Sequence, residues 1–365
     1  MEAPAGAEVR RVGGGALRGQ LAIAAATGRA IEVQSIRERE TEPGLHAHEL
    51  LLLRMFEHIT TGSRVDISPS GTAVRVQPGA LVGTETPQQL DVRESDRSVS
   101  YFLEPLLILG CLCKHGLTFS LVGVTSDAVD PPASSFSREC SCLLSLVGIP
   151  ARVDVTSEGF HPRGDGEVRV YVPPAGKAGI PNPLDAVDIG LFRRIRGGAT
   201  SSRCANAAKD QLKHVCPDTL VRGASMRKSK SSSPGIGAYV VAESMAGKCI
   251  GAGYALPENH EGKLERQPPE HAGERASKEL LHIARQGGCI GPSCQALAAY
   301  LCALGPAELS RVRIGPPTKH LISTLLELQA IAGVTFNIEE DPAAQPSVLL
   351  STVGLGIRPV ARRAR

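Results

Sequence analysis

The chain contains no tryptophan, and its 365 residues include only 5 tyrosines and 7 phenylalanines. An RRM or OB-type reader, which stacks bases on an aromatic platform, therefore has few residues to work with. Charge is nearly balanced, with 40 Lys and Arg against 37 Asp and Glu for a net of +3. The overall field does not drive nucleic-acid binding, so any such role must rest on local basic patches. No apolar run is long enough to span a bilayer and no apolar signal sequence opens the chain, which predicts no membrane contact and a reducing, intracellular compartment. Ten cysteines are present, including the C-x-C pairs Cys111/Cys113 and Cys140/Cys142, but no C-x-x-C pair or Cys/His quartet of zinc-finger spacing. Buried free thiols and no metal are expected. No G-K-[ST] follows the run Gly13-Gly14-Gly15, which taken alone reads as a flexible loop rather than a phosphate cradle.

The most informative stretch is Ile314-Gly315-Pro316-Pro317-Thr318-Lys319-His320. A strand-like run from Ser310 passes through the Gly-Pro-Pro turn into an apolar helix, which places His320 in the first helical turn. There, backbone N–H groups without helical acceptors favour a phosphate. A histidine at such a point suits nucleophilic attack on phosphorus; it equally suits a polar residue that solvates the turn.

A strand–turn–helix–strand pattern occurs three times. The first copy has strand Ala30–Ile36, helix Leu45–Ile59 and strand Arg64–Ile67, with Leu52, Phe56 and Ile59 on one helical face. The second has strand Leu117–Val124, turn Asp130-Pro131-Pro132, helix Ser134–Val147 and strand Arg152–Thr156. The third has strand Ser310–Ile314, helix Lys319–Ile331 and strand Val334–Ile338. The first two start about 90 residues apart and the last two about twice that, so an insertion lies between them. Composition shifts in that interval, with basic residues at Arg193, Arg194 and Arg196, a helix near Ala205–Val215, a Ser/Lys/Arg-rich loop and a strand at Ala238–Glu243. The predicted fold class is α+β: three repeated sheet-and-two-helix units in a large domain (1–184 and 270–365) and a small inserted α/β domain (185–269).

Motifs in order along the chain resemble the RNA 3′-terminal phosphate cyclase superfamily, and within it the eukaryotic cyclase-like branch of small-subunit ribosome assembly. They comprise Gly13-Gly14-Gly15 with Arg18, Ile36-Arg37, Pro43-Gly44-Leu45, Ile59-Thr60-Thr61-Gly62-Ser63, Gly71-Thr72, and Gln77-Pro78-Gly79. The series continues with Tyr101-Phe102-Leu103-Glu104-Pro105-Leu106, Gly123-Val124-Thr125-Ser126-Asp127 with Asp130-Pro131, Gly164-Asp165-Gly166-Glu167-Val168, Ser233-Pro234-Gly235-Ile236-Gly237 and Gln286-Gly287-Gly288. The resemblance implies a thioredoxin-like insert. For the true cyclases it implies ATP- and metal-dependent adenylylation of a histidine, at the place of His320, and closure of an RNA 3′-phosphate to a 2′,3′-cyclic phosphate.

Several positions depart from the cyclase pattern. Val12 stands where the cyclases carry a Glu before the glycine run, and Cys294-Gln295 replaces an Asp-Gln pair at a helix start. Glu40 replaces a second Arg, and His46-Ala47-His48-Glu49 replaces an Arg-x-Gln-His run. Losing a metal-binding carboxylate and reversing a phosphate-facing charge each cost about 10-fold in rate for every 1.4 kcal/mol of lost transition-state stabilisation. The expectation is a non-catalytic nucleolar factor in early pre-rRNA processing for 18S rRNA and the 40S subunit. By resemblance it works in the U3 snoRNP-containing small-subunit processome with a GTPase partner. The alternatives are an active cyclase passing through a histidine–AMP intermediate, or a pre-rRNA endonuclease. No cofactor is expected, though a vestigial anion or ATP pocket would be built from Arg18, Arg37, Arg163, Gly164, Gly166, Glu167, Gln295 and His320. The Gly164–Gly166 loop would as readily be a plain hairpin connection. Contact with pre-rRNA or a partner is assigned to Arg193, Arg194, Arg196, Arg222, Arg227, Lys228 and Lys230, which singly read as solvated loop, and the Arg-rich end (Arg358, Arg362, Arg363, Arg365) suits a nuclear address.

Overall fold

The computed structural model describes residues 10–13, 17–84, 86–161, 164–174, 179–223, 235–256, 267–340 and 346–358. The chain is mixed α/β, with small mixed sheets and eight α-helices among the described residues: α1 (Leu17–Thr27), α2 (Ala47–Ile59), α3 (Val99–Gly110), α4 (Ala133–Leu146), α5 (Ser202–Leu212), α6 (Glu270–Arg285), α7 (Gln295–Leu304) and α8 (Lys319–Glu327). This agrees with the α+β expectation.

Three of the four-stranded sheets share one strand order and one pattern of directions. In the first, Arg10–Gly13 runs parallel to Ile31–Gln34, which pairs antiparallel with Val74–Gln77, and that strand pairs antiparallel with Arg64–Ile67. In the second, Gln88–Asp91, Leu117–Gly123, Gly166–Val172 and Arg152–Ser157 follow in the same sense. In the third they are Asp185–Ala186, Leu309–Ile314, Val348–Val353 and Asn337–Glu340. A helix lies between the first two strands of each sheet and another follows the second strand, so α1, α3 and α7 occupy equivalent places in the chain order, as do α2, α4 and α8.

Between Asp185–Ala186 and α7 the chain builds a fourth sheet, in the order Thr219–Gly223, Phe192–Ala199, Gly237–Ser244, Cys249–Ala255. It has its own apolar core, in which Ile195, Val240 and Ile250 of the sheet meet Ala208 and Leu212 of α5 and Ala272, Ala276, Leu280 and Ile283 of α6. The amphipathic pattern of α5 and α6 directs those residues inward. The second core thus reaches Ile283, while Asp185–Ala186 pairs into the third sheet.

The larger core joins the other three sheets. All twelve residues of α3 and all ten of α7 are buried, so these helices run through its interior. Helix α2 is amphipathic, with Leu52, Phe56 and Ile59 buried as its spacing predicts. Helix α8 passes into a π-turn over Leu328–Ala332, which ends at Gly333 with φ 76°. Val334 is buried in the following irregular segment, and the strand begins only at Asn337, three residues later than the sequence predicts.

The cysteines correct one expectation. Cys142 of α4 is disulfide-bonded to Cys249 at the edge of the fourth sheet, with a Cα–Cα distance of 6.1 Å. The other eight are buried free thiols, as predicted. No helix among the described residues is long and apolar enough to cross a membrane.

Candidate functional site

Three elements distant in sequence bring three charged or polar side chains to one point. Arg18 stands in the first turn of α1, Glu104 lies in the middle of α3 and His320 is the second residue of α8. The N-cap of α8 is Thr318, whose hydroxyl accepts the Leu321 N–H at 3.2 Å. Gln295, at the start of α7, is buried and fixes the turn ahead of this cap: its Oε1 accepts the Thr318 N–H at 2.9 Å, and its Nε2 donates to the Pro316 carbonyl at 3.1 Å. Gly288 lets a second segment approach the same turn, since a Cβ there would lie 2.3 Å from the Gly315 nitrogen.

Nε2 of His320 lies 2.7 Å from Nη2 of Arg18 and 2.9 Å from Oε2 of Glu104. Without a proton this nitrogen accepts from the guanidinium, and with one it donates to the carboxylate. In both states it is engaged within the protein. Arg18 is also paired with Glu104 at 2.9 Å, the carboxylate side chain being only 5% exposed. Burial alone would push the Glu104 carboxyl up, but the charges of Arg18 and His320 outweigh it and hold the group below the ordinary carboxylate range.

A cavity of about 440 Å³ opens over this triad. Its charged walls are Arg18, Arg37, Arg97, Glu49, Glu104 and Asp130, with Tyr101, His48 and His320 between them. Each guanidinium has its own carboxylate. Arg18 pairs with Glu104, Arg37 with Glu49, and Arg97 with Asp130 at 2.5 Å. Three positive and three negative groups leave no net formal charge on the walls. Arg18 and Arg97 stack over the Tyr101 ring at 4.6 and 4.7 Å, which orders both guanidiniums.

Of the residues singled out in the sequence, the structure brings Arg18, Arg37 and His320 into this cavity and sets Gln295 directly behind the His320 turn. The glycine loop lies elsewhere. Gly164, at φ 72°, packs on the second sheet, where a Cβ would sit 2.7 Å from the Val124 nitrogen. Gly166 pairs with Gly123 at the strand end. Glu167 is on an outward face, its Oε1 accepting from Ser120 at 2.7 Å and Arg169 at 2.9 Å. These three serve the hairpin, not the cavity. Arg163 lies outside the described residues. Glu40 is exposed and does not line the cavity, so the opposing negative charge comes from Glu104, Glu49 and Asp130 instead. Glu104 itself was missed as a site residue. Its signal is a lone carboxylate in an otherwise apolar helix, which demands a buried cationic partner.

Among the basic residues, Arg194 and Arg196 share the outer face of the fourth sheet with Arg222 and, from α4, Arg138, around a groove of about 440 Å³ that also includes Tyr239. Arg194 pairs with Glu243 at 2.6 Å and Arg196 with Asp218 at 2.9 Å. Arg193 is exposed on the same strand. Arg227, Lys228 and Lys230, and the terminal Arg362, Arg363 and Arg365, lie outside the described residues.

The frame is thus three sheets of one topology around buried helices, a fourth sheet with its own core, and a histidine at a helix start held between an arginine and a glutamate. Comparison with known proteins gives the family. Residues 9–338 match the RNA 3′-terminal phosphate cyclase family, and the chain belongs to it. A human RNA 3′-terminal phosphate cyclase-like protein is 32% identical, with 93% of this chain and 94% of that protein covered. A probable cyclase-like protein of Arabidopsis thaliana is 30% identical over 96% and 97%. A Schizosaccharomyces pombe protein named as an rRNA processing protein is 29% identical over 94% and 95%.

Proposed function

We propose that this protein is a non-catalytic ribosome-biogenesis factor acting in early processing of the small-subunit rRNA precursor. Its place is the nucleolus, within the U3-containing particle and beside a GTPase assembly factor, and it supports 18S rRNA and 40S subunit formation. The name of the Schizosaccharomyces pombe relative and the full-length similarity to cyclase-like proteins support the role in rRNA processing. The shared strand order of three sheets supports reading the large domain as three α+β units. The β-α-β-β-β-α succession of the fourth sheet with α5 and α6 supports a thioredoxin-like insert. On packing grounds that insert runs from about Phe192 to the end of α6, a shift of both boundaries from 185–269.

One observation carries the non-catalytic part: Nε2 of His320 is held between Arg18 and Glu104. Adenylyl transfer needs a free nucleophilic nitrogen, a metal held by carboxylates and excess positive charge for the triphosphate. The residues here do not fit a metal–triphosphate. Val12 is apolar and packs on the core, Cys294 is a buried thiol, and the three cavity guanidiniums are each neutralised. The protein is therefore read as having lost ATP as a cofactor while keeping the frame. Pre-rRNA or partner contact is assigned to the Arg138, Arg194, Arg196 and Arg222 groove and to the exposed Arg193, because four arginines exceed the Glu243 and Asp218 carboxylates that pair with Arg194 and Arg196, and the remaining positive charge suits phosphodiesters.

The test is replacement of the endogenous protein in depleted cells. His320→Ala is expected to restore mature small-subunit rRNA and to co-purify with the U3-containing particle, whereas glutamate at Arg194, Arg196 and Arg222 together is expected to lose both. Failure of His320→Ala at normal protein level would overturn the non-catalytic reading.

A further inference from the structure

A second polar cluster stands beside the triad and is not used by it. His46 is the N-cap of α2, and its backbone N–H donates to Glu49 Oε2 at 2.9 Å. His48, two residues on, is buried with its ring edge-on to Tyr101 at 5.0 Å and to His46 at 5.7 Å. Asp96 comes from the loop ahead of α3. Its Oδ1 lies 2.5 Å from Nδ1 of His48, and its Oδ2 lies 3.9 Å from Nδ1 of His46. One ligating atom from each of the three residues lies within 4.8 Å of the other two.

The charge pattern around the cluster is informative. Arg18, Arg37 and Arg97 are matched with Glu104, Glu49 and Asp130, which leaves Asp96 facing two imidazoles.

We propose that His46, His48 and Asp96 form a binding site for a divalent first-row transition cation, for which Zn2+ is the best match. Two imidazole nitrogens and one carboxylate oxygen suit such a cation, whereas Mg2+ prefers an all-oxygen shell. A neutral His48 ring ligates through Nδ1 by carrying its single proton on Nε2, so the Nδ1 contact to Asp96 Oδ1 gives way to the cation with no net loss of a proton from the ring. Metal–ligand distances of about 2.0–2.2 Å require the three groups to draw together. His46, with a side chain 34% exposed, has the freedom to do so. The open coordination positions would hold water. His48 lines the central cavity and Asp96 lines an adjoining one of about 520 Å³, so the cation sits at the partition between them. This site departs from the expectation of no metal, and it does not restore the adenylylation machinery.

Full-length protein is stripped with EDTA, dialysed and titrated with Zn2+ against a chromophoric chelator. About one equivalent should bind, and His46→Asn or Asp96→Asn, both on partly or fully exposed side chains, should each weaken it about tenfold or more. The double variant should lose the saturable equivalent while far-UV circular dichroism and the unfolding midpoint stay close to the parent. Loading with Co2+ should give a visible absorption that Asp96→Asn alone diminishes, which decides the matter if the double variant does not fold. Equal binding by parent and double variant, or no saturable binding at micromolar Zn2+, would overturn the assignment.

Discussion

Glu104 and His320, 216 residues apart in sequence, meet at 2.9 Å with the Arg18 guanidinium closing the third side. The contact fixes a carboxylate in the interior beside the imidazole at the start of α8. Its energetic consequences can be measured apart from any activity.

Removing the carboxylate strands Arg18 in a largely buried position. Glu104→Ala should destabilise the protein by about 3–5 kcal/mol, and Glu104→Gln by less, since the amide can still accept one hydrogen bond. Because the folded Glu104 is held below its unfolded value near 4.5, its stabilisation is present above that pH and is lost as pH falls through the lower folded value. Urea unfolding at pH 7 and pH 4 checks both statements. A Glu104→Ala variant as stable as the parent would mean that the triad is not formed.

Glu139 behaves in the opposite sense. Its carboxyl is buried where α4 meets the fourth sheet, close enough to Gly251 and Gly291 that a Cβ at either would collide with it. Burial pushes it up to about 8, and the nearby Gly251 backbone opposes this only weakly. The unfolded group ionises near 4.5, so stability should decline between about pH 4.5 and 8 and then level off. Glu139→Gln should flatten that slope and raise stability at pH 8. An unchanged pH profile in the variant would contradict the buried placement.

The Cys142–Cys249 bond ties α4 to the fourth sheet across 107 residues. Reduction, or Cys142→Ser with Cys249→Ser, should lower stability by about 2–4 kcal/mol. Non-reducing peptide mapping of oxidised protein should recover the linked pair. Mapping that finds both thiols free after mild oxidation would count against the contact.

Gln295 makes two hydrogen bonds to the turn before His320, so Gln295→Ala leaves a backbone donor and acceptor uncompensated. A loss of about 1–3 kcal/mol is expected in denaturant titration, with amide exchange near Thr318 accelerated. Unaltered exchange there would show that another contact holds the turn.

Amphipathic spacing locates α2 closely, whereas α6, equally amphipathic over Glu270–Arg285, is absent from the sequence expectation. The strand Arg64–Ile67 was located to the residue, and the helix expected over Leu45–Ile59 begins at Ala47. Helices α1 and α3 escaped the periodicity argument for a physical reason: α3 is buried on every side and carries Pro105, so it shows no polar face to set against an apolar one. The last antiparallel strand of the first chain pattern, Val74–Gln77, was not separated from its neighbours, and Asn337–Glu340 is exposed at all four positions and has no alternation to read. At the site, Arg18, Arg37 and His320 were legible because their motifs are local. Glu104 and Asp96 were not, because their meaning comes from partners on other elements, a relation that no local spacing encodes. The Gly164–Glu167 loop is open to two readings in sequence, since a glycine demanded by a positive φ and close packing looks the same as one demanded by a phosphate, and the structure shows the hairpin connection.

The most direct test of the central claim, that His320 Nε2 is engaged by Arg18 and Glu104 and not offered to ATP, is incubation of purified protein with α-labelled ATP and Mg2+ or Mn2+ followed by acid-sensitive detection of label on the chain. The account predicts no protein-bound AMP, with parent and His320→Ala indistinguishable. Acid-labile AMP on the parent that disappears in His320→Ala would contradict it.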